Sequence, residues 1–189
     1  MILLTLDQDW CSDEELEYTL DILEQFQVNY TLFATNESKV LDSFSSSEKV
    51  EIGLHPNFAD LLVRKNRGGN DLEEVINRLN HKFPDSKSYR GHTLIESQVI
   101  SDKFNSLGFT HTSNYYIPYF NKLRIEPFKL WNGIISAPVT WEDWAYLDKY
   151  EEVIVEDILN QQSYHCFIFH PRFIFFNTSS QSFCDAFTK

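Results

Sequence analysis

The chain has 189 residues, of which 42% are hydrophobic, 15% aromatic and 23% charged. These values are typical of one globular domain with its own core, so we predict a single domain over residues 1–189 and exclude disordered and low-complexity proteins. The formal net charge is −12, from 28 acidic and 16 basic residues, and a field of that sign disfavours binding to nucleic acids and anionic membrane surfaces.

The first predicted element is a short apolar strand at residues 2–6, which is followed directly by Asp7. It is shorter than the hydrophobic region of a secretory signal, and no stretch of the chain is long enough to span a membrane. The three cysteines are odd in number and lack metal-binding spacing, which is typical of reduced thiols. We therefore expect a cytoplasmic protein that does not insert into a membrane.

Helical and extended segments alternate along the rest of the chain. A capping box at Ser12 and Glu15 opens an amphipathic helix, and β-rich segments follow at residues 29–34 and 49–54. The later segments are a helix from residue 70, a short strand at 88–90, a helix at 96–107, a strand at 109–112, an irregular aromatic stretch at 114–144, a helix near 150–161 and a strand at 165–169. This alternation predicts an α/β fold with parallel strands, either an open sheet or a barrel.

Ionisable residues recur where the predicted strands end. They are Asp7 and Asp9 after the first strand, His55 after the third, Arg90 and His92 after the fourth, and His170 after the last. The carboxyl ends of parallel strands share one face of the sheet, and active sites are built there. The sequence therefore predicts one site that contains all six side chains.

The two acids have period-two spacing, so continued strand geometry would aim both carboxylates the same way, as a base beside a metal ligand. The alternative is a strand-end turn in which Asp9 caps the next helix. His55 precedes a proline, which suits a fixed metal ligand, but it could instead hydrogen-bond a neighbouring carbonyl group. His92 could be a ligand, a donor behind the ligands or a loop residue.

His170 precedes a proline as His55 does, which makes it a candidate general acid or an ordinary buried histidine. Glu142 and Asp143 could orient Arg90 or a histidine, or be solvated. Aromatic side chains crowd the irregular stretch and could pack against sugar rings or form core: Tyr115, Tyr116, Tyr119, Phe120, Trp131, Trp141 and Trp144.

These motifs occur in the order seen in the polysaccharide deacetylases of carbohydrate esterase family 4, the NodB-homology domain. The sequence TLDQD at residues 5–9 resembles the T-F-D-D motif of that family, with the second acid displaced by one residue. The other similar segments are TLFAT at 31–35 for T-F-F, His55 for the first histidine of H-[ST]-x-x-H, YR at 89–90 for R-x-P, WEDW at 141–144 for D-x-x-D-W, and FH at 169–170 for L-x-H. The resemblance extends over most of the chain.

This resemblance implies a distorted, incomplete (β/α) barrel and a divalent metal ion, commonly zinc, held by one Asp and two His. Carried over to this sequence, it implies Asp7 as the base, Asp9 and His55 as metal ligands, Arg90 as the residue that orients the base, and His170 as the acid. The second metal histidine of the family pattern is missing, because Ala59 stands at its position. We expect His92 to be the third ligand, with Asn57 a poorer substitute, since a neutral amide oxygen binds zinc weakly.

The activity implied by the resemblance is metal-dependent removal of an N-acetyl group from an amino sugar, in a bacterial surface-polysaccharide precursor or a related glycan. A catalytically inactive, metal-free glycan-binding module is the alternative that Ala59 favours. A phosphatase of the haloacid dehalogenase class also begins with D-x-D, but it requires Thr or Val where Cys11 stands here. Release of acetate or of phosphate would distinguish the two enzymes.

Overall fold

The computed structural model describes residues 1–44, 47–63, 69–121, 123–147, 155–161, 163–178 and 180–187. The described strands are β1 (Ile2–Asp7), β2 (Tyr30–Ala34), β3 (Val50–Leu54), β4 (Ser88–Tyr89), β5 (His111–Thr112), β6 (Phe128–Lys129), β7 (Ile135–Ser136), β8 (Trp141–Glu142) and β9 (His165–Phe169). They form one curled sheet in the order β6-β7-β5-β4-β3-β2-β1-β9-β8. Every neighbouring pair is parallel except β6 and β7. The prediction of an α/β fold with a distorted, incomplete barrel is confirmed.

Helices connect the parallel strands. They are α1 (Asp13–Phe26), α2 (Lys39–Phe44), α3 (Ala59–Leu62), α4 (Leu72–Asn80), α5 (Gln98–Ser106), α6 (Asp143–Leu147), α7 (Val155–Gln161), α8 (Pro171–Phe176) and α9 (Gln181–Phe187). The predicted capping box is present at the start of α1, where Ser12 accepts from the Glu15 N–H and Glu15 accepts from the Ser12 N–H. None of the helices in the described part of the chain is long and apolar enough to cross a membrane.

Most predicted elements lie where the sequence pattern places them. The helix expected at 96–107 is α5, which is capped by Ser97, and the strands expected at 29–34 and 49–54 are β2 and β3. The expectation of an irregular stretch at 114–144 is wrong in part, because it contains three two-residue strands, too short to give a sequence period. Of the helix expected near 150–161, residues 150–154 lie outside the described residues and the rest forms α7.

Two of the hydrophobic clusters lie between the sheet and the helices, and another lies on the inner face of the sheet. Leu6 and Leu32 pack with α1 and α2, through Leu16, Leu20 and Leu41. A second cluster joins α4 and α5 to β3 and β4, and a third lies around β9. Burial of these apolar side chains on one side of each strand sets which residues face the other side.

The inner face of the curled sheet is polar near its carboxyl end. Because side chains alternate along β1, Leu4 and Leu6 face the helices whereas Thr5 and Asp7 face inward. Arg90 fills this interior; it is fully buried and donates hydrogen bonds to both Thr5 and Asp7. The fold therefore delivers a charged pair to the strand ends, where the predicted site lies.

Candidate metal and acid-base site

The turn after β1 carries Asp9 into the site. The strand ends at Asp7, and both Asp9 and Trp10 have left-handed backbone angles, with φ of 44° and 55°. The expectation that continued strand geometry points the carboxylates of Asp7 and Asp9 in the same direction is therefore wrong. The two carboxylates come together because the turn after Asp7 folds back toward the strand end. Asp9 does not cap α1 either, since Ser12 is the N-cap. Each left-handed residue costs on the order of 1–3 kcal/mol, which surrounding contacts must offset.

The side chain of Gln8 supplies those contacts for the first turn. Its Oε1 accepts hydrogen bonds from the N–H groups of Thr35 (2.9 Å) and Asn36 (3.2 Å). The N–H of Trp10 in turn donates to Thr35 Oγ1 at 3.1 Å. The turn that holds Asp9 is thus tied to the end of the neighbouring strand β2.

A second strained turn carries His92. The two-residue spacing from Arg90 suggests that His92 continues strand β4, but it does not. His92 begins a single helical turn in which Thr93 and Leu94 both have φ of 56°. The N–H of His92 donates to the Pro56 carbonyl at 2.9 Å. The loops after β3 and β4 are therefore joined directly beneath the two histidines.

The side chains of Asp9, His55 and His92 meet in one cluster. Asp9 Oδ1 lies 3.1 Å from His55 Nε2 and 2.9 Å from His92 Nδ1, and one donor atom from each of the three residues lies within 4.8 Å of the others. His55 Nδ1 lies 2.7 Å from the Arg90 carbonyl oxygen, so the ring donates there and its Nε2 presents a lone pair to the site. The hydrogen bond to a carbonyl group that was considered for His55 is therefore present, and it leaves Nε2 of the same ring facing Asp9.

This donor set fits a divalent cation. One carboxylate and two imidazoles are the mixed oxygen and nitrogen ligands that zinc accepts. Asn57 Oδ1 accepts a hydrogen bond of 3.0 Å from the N–H of Ala59, the first residue of α3, so this oxygen already has a partner outside the cluster. His92 is therefore the residue that the fold brings to the position left open by Ala59.

Asp9 and the histidines around it share protons in hydrogen bonds, and these hydrogen bonds shift the pKa values of the cluster. Burial alone would raise the pKa of Asp9, but hydrogen bonds from His170, His55 and His92 hold it well below its usual range. Burial would lower the pKa of His55, yet the charge of Asp7 and the hydrogen bond to Asp9 raise it. A bound cation takes the place of these protons, so we expect metal binding to release protons and to weaken at low pH.

Arg90 holds Asp7 in place. Its Nη1 lies 2.7 Å from Asp7 Oδ1, and its other donors bind Ser113 O at 2.9 Å and Ser113 Oγ at 2.7 Å. The guanidinium also stacks 4.3 Å above the ring of Phe33. The second carboxylate oxygen of Asp7 is 3.6 Å from His55 Nε2, so it faces the cluster.

Asp143 holds His170 on the other side of the cluster. Its two carboxylate oxygens accept from the backbone N–H (2.7 Å) and from Nδ1 (2.6 Å) of His170, which leaves Nε2 3.4 Å from Asp9 Oδ2. Burial would lower the pKa of His170, but the charges of Asp143 and Asp9 raise it well above its ordinary value. The sequence left open whether Asp143 orients Arg90, orients a histidine or is solvated. It hydrogen-bonds to His170 and favours the protonated form of that ring.

A cleft of about 580 Å³ opens over these residues. Trp10 and Trp144 line it with 44% and 50% of their surface exposed. Of the aromatic residues that the sequence pattern singled out, Trp144 is the one that borders this cleft, and Trp141 packs instead on Phe167 and Phe169. Trp10 was not predicted, because a lone tryptophan after a strand has no periodicity that marks it.

Gly91 sets the position of the second turn, since its backbone passes close to the chain that follows. A Cβ atom there would lie 2.3 Å from the Ile95 carbonyl oxygen, so alanine must displace the backbone next to His92. We expect Gly91→Ala to weaken zinc binding by about 10- to 100-fold, as loss of supporting contacts around a metal does. Competition with a fluorescent chelator would measure this, with the unfolding midpoint as a control. Wild-type zinc affinity in a folded variant would contradict the prediction.

Comparison with known proteins identifies the family of this chain. The model of the family described as WbmS-like polysaccharide deacetylase matches residues 4–187. No protein with a curated description matches this sequence significantly. Among solved structures, the chain is 28% identical to a candidate polysaccharide deacetylase from Bordetella bronchiseptica described as involved in O-antigen biosynthesis (TM-score 0.90), with 99% of this chain and 78% of that chain covered.

Two more distant structures share the fold. A candidate polysaccharide deacetylase from Mycobacterium smegmatis has 14% identity and a TM-score of 0.55, with 90% of this chain and 76% of that chain covered. A family 4 carbohydrate esterase from Streptomyces lividans, solved with acetate, has 11% identity and a TM-score of 0.53, with 90% of this chain and 78% of that chain covered. Because the family model spans nearly the whole sequence, the chain belongs to the WbmS-like polysaccharide deacetylase family.

Proposed function

We propose that this protein is a metal-dependent hydrolase that removes an N-acetyl group from an amino sugar, in a precursor of a bacterial surface polysaccharide or a related glycan. The observation that carries the proposal is the arrangement around the Asp9, His55 and His92 cluster. A carboxylate locked by Arg90 and an imidazole locked by Asp143 both adjoin this potential cation site. Amide hydrolysis needs a base, an acid and a charge-stabilising centre in this relation.

In the proposed reaction, Asp7 accepts a proton from the attacking water while the new C–O bond forms at the amide carbonyl. A divalent cation, when bound by Asp9, His55 and His92, supplies positive charge that polarises the carbonyl and lowers the pKa of water. His170 then donates its Nε2 proton to the amide nitrogen as the C–N bond breaks, and acetate and the amine leave. Asp143 stabilises the imidazolium before that transfer.

The alternative of a metal-free glycan-binding module depended on Ala59. His92 supplies a third potential ligand beside Asp9 and His55, which supports the enzyme. The assignment of the Bordetella bronchiseptica protein to O-antigen biosynthesis supports a glycan precursor as the substrate. We place the reaction in the cytoplasm, on the precursor before export, and we propose zinc as the metal.

Acetate release tests the proposed function directly. Zinc-loaded protein is incubated with N-acetylhexosamines, their nucleotide conjugates and short N-acetylated oligosaccharides, and acetate and free amine are both quantified. We expect equal amounts of the two products, no phosphate from phosphate-ester controls, and loss of activity after chelation. Failure to release acetate from any of these substrates while zinc is bound would favour a binding module.

The pairing of Asp143 with His170 makes a prediction about pH. The charge of Asp143 raises the pKa of His170, so Asp143→Asn should lower it, and the imidazole then loses its proton at a lower pH. Because the acid must be protonated, the alkaline limit of activity should move to lower pH, with a loss of roughly tenfold or more on the alkaline side. The pH profile of kcat/KM measures this. An unchanged alkaline limit would show that His170 is not the acid.

A further inference from the structure

Glu142 faces the inside of the curled sheet, toward the proposed reaction centre. On β8, Glu142 is in register with Ile168 of β9, which is in register with Thr5 of β1. Thr5 points inward, where it meets Arg90. The neighbouring residue Trp141 packs on Phe167 and Phe169, on the opposite face. Alternation along the strand therefore directs the Glu142 side chain inward, and it lines the cleft.

The carboxyl group of Glu142 differs from the other acids of the cleft in having no partner within the described ranges. Asp7 is paired with Arg90, Asp9 with three imidazoles, and Asp143 with His170. Glu142 is partly buried and has neither a hydrogen bond nor an ion pair among the residues that the structure describes. Because the side chain lines the cleft, its carboxyl oxygens are open to hydrogen bonds from water or from a ligand that enters there.

The charges around Glu142 indicate what kind of donor fits. Burial raises its pKa to about 7; the charge of His170 lowers this pKa, and that of Asp7 raises it. His170 and Asp7 are the acid and the base proposed above, so Glu142 lies within electrostatic reach of both. The amide nitrogen that receives the proton of His170 is cationic until the C–N bond breaks, and the neutral amine that leaves then takes a second proton from the acetic acid formed with it or from water. A carboxylate in this position can accept a hydrogen bond from either cationic form.

We infer that Glu142 is the binding group for the amino nitrogen of the deacetylated sugar, and that it gives the cleft a preference for amino sugars over neutral sugars. This inference rests on the proposed function, because it takes the amine to be formed beside His170. In the uncleaved amide the same carboxyl can accept from the amide N–H, a weaker neutral hydrogen bond. The interaction therefore strengthens as the nitrogen gains charge.

The test is binding without turnover. Dissociation constants of zinc-loaded protein are measured by calorimetry or ligand-observed NMR for glucosamine and galactosamine, and for glucose and galactose as neutral counterparts. The variant Glu142→Gln keeps the shape and removes the charge, and Glu17→Gln on the exposed face of α1 is the matched control. We expect wild type and the control to bind the amino sugars at least about tenfold more tightly, and Glu142→Gln to lose this difference.

Three outcomes would overturn the inference. They are no preference for amino sugars in the wild type, an unchanged preference in Glu142→Gln, and a Glu142→Gln variant that loses affinity for neutral sugars to the same extent as for amino sugars. Competition by the amino sugar against acetate release is the second measurement, and Glu142→Gln should be less sensitive to it. An amine preference that depends on Glu142 in a protein that never releases acetate would refute the proposed hydrolysis alone. The two proposals can therefore fail separately.

Discussion

Asp7→Asn should keep its zinc and lose acetate release by about 10²- to 10⁴-fold, whereas Asp9→Asn should lose both. The reason is the different geometry of the two carboxylates. Asp9 lies within hydrogen-bonding distance of His55 and His92 and completes the donor set, and an amide oxygen binds zinc weakly. One carboxylate oxygen of Asp7 is held by Arg90, and the other lies 3.6 Å from His55 Nε2, where it can accept a proton.

The two variants form a matched pair. Asparagine keeps the shape of each side chain, and it tolerates the left-handed backbone at Asp9 better than alanine does. Zinc content after dialysis, acetate release and the unfolding midpoint are measured on both proteins. Equal zinc loss in the two variants would contradict this division of roles. A large drop in the midpoint of Asp7→Asn is expected, since Arg90 then lacks its anion.

Arg90→Met should destabilise the fold by about 3–5 kcal/mol, since it leaves a buried carboxylate without its cation. Asp7 is 4% exposed, so water does not replace the lost partner. The carbonyl of Ser113 loses its donor as well. Urea unfolding measures the change in the free energy of unfolding.

The double variant Asp7→Asn with Arg90→Met separates charge from packing. The double variant leaves neither Asp7 nor Arg90 as a buried charge without its partner, so it should be less destabilised than the sum of the two single changes predicts. The difference between that sum and the double variant measures their coupling. Strict additivity of the changes in unfolding free energy would show that Asp7 and Arg90 do not stabilise each other. It would contradict the conclusion that Arg90 holds Asp7 in place.

The positions of the strand ends could be predicted because they are marked by a local sequence pattern. Short apolar runs that stop at Asp7 and His55, and at the residue before His170, identify the carboxyl ends of β1, β3 and β9. Parallel strands place such ends on one face by necessity. The sequence therefore predicted that these side chains lie in one region, without any knowledge of the distances between them.

The convergence of Asp9 and His92 depends on the tertiary structure. Both lie in turns with left-handed backbone angles, at Asp9 and Trp10 in the first turn and at Thr93 and Leu94 in the second, and no periodicity encodes such angles for these residue types. The side chain of Gln8 and the carbonyl of Pro56 hold these turns through contacts between loops distant in sequence. A motif with one displaced acid and one missing histidine therefore indicated the site, but only the packing of the loops brings three donors together.

The sequence by itself determined the class of fold, the strand ends and the family, because apolar periodicity and the order of motifs are properties of the linear chain. Only the tertiary structure decided that Asp143 holds His170, that Arg90 holds Asp7 and that Glu142 faces the cleft. These relations arise from the strand order β4-β3-β2-β1-β9-β8, which places side chains from distant segments beside one another. Long-range strand pairing has no local signature, so it becomes visible only in the folded chain.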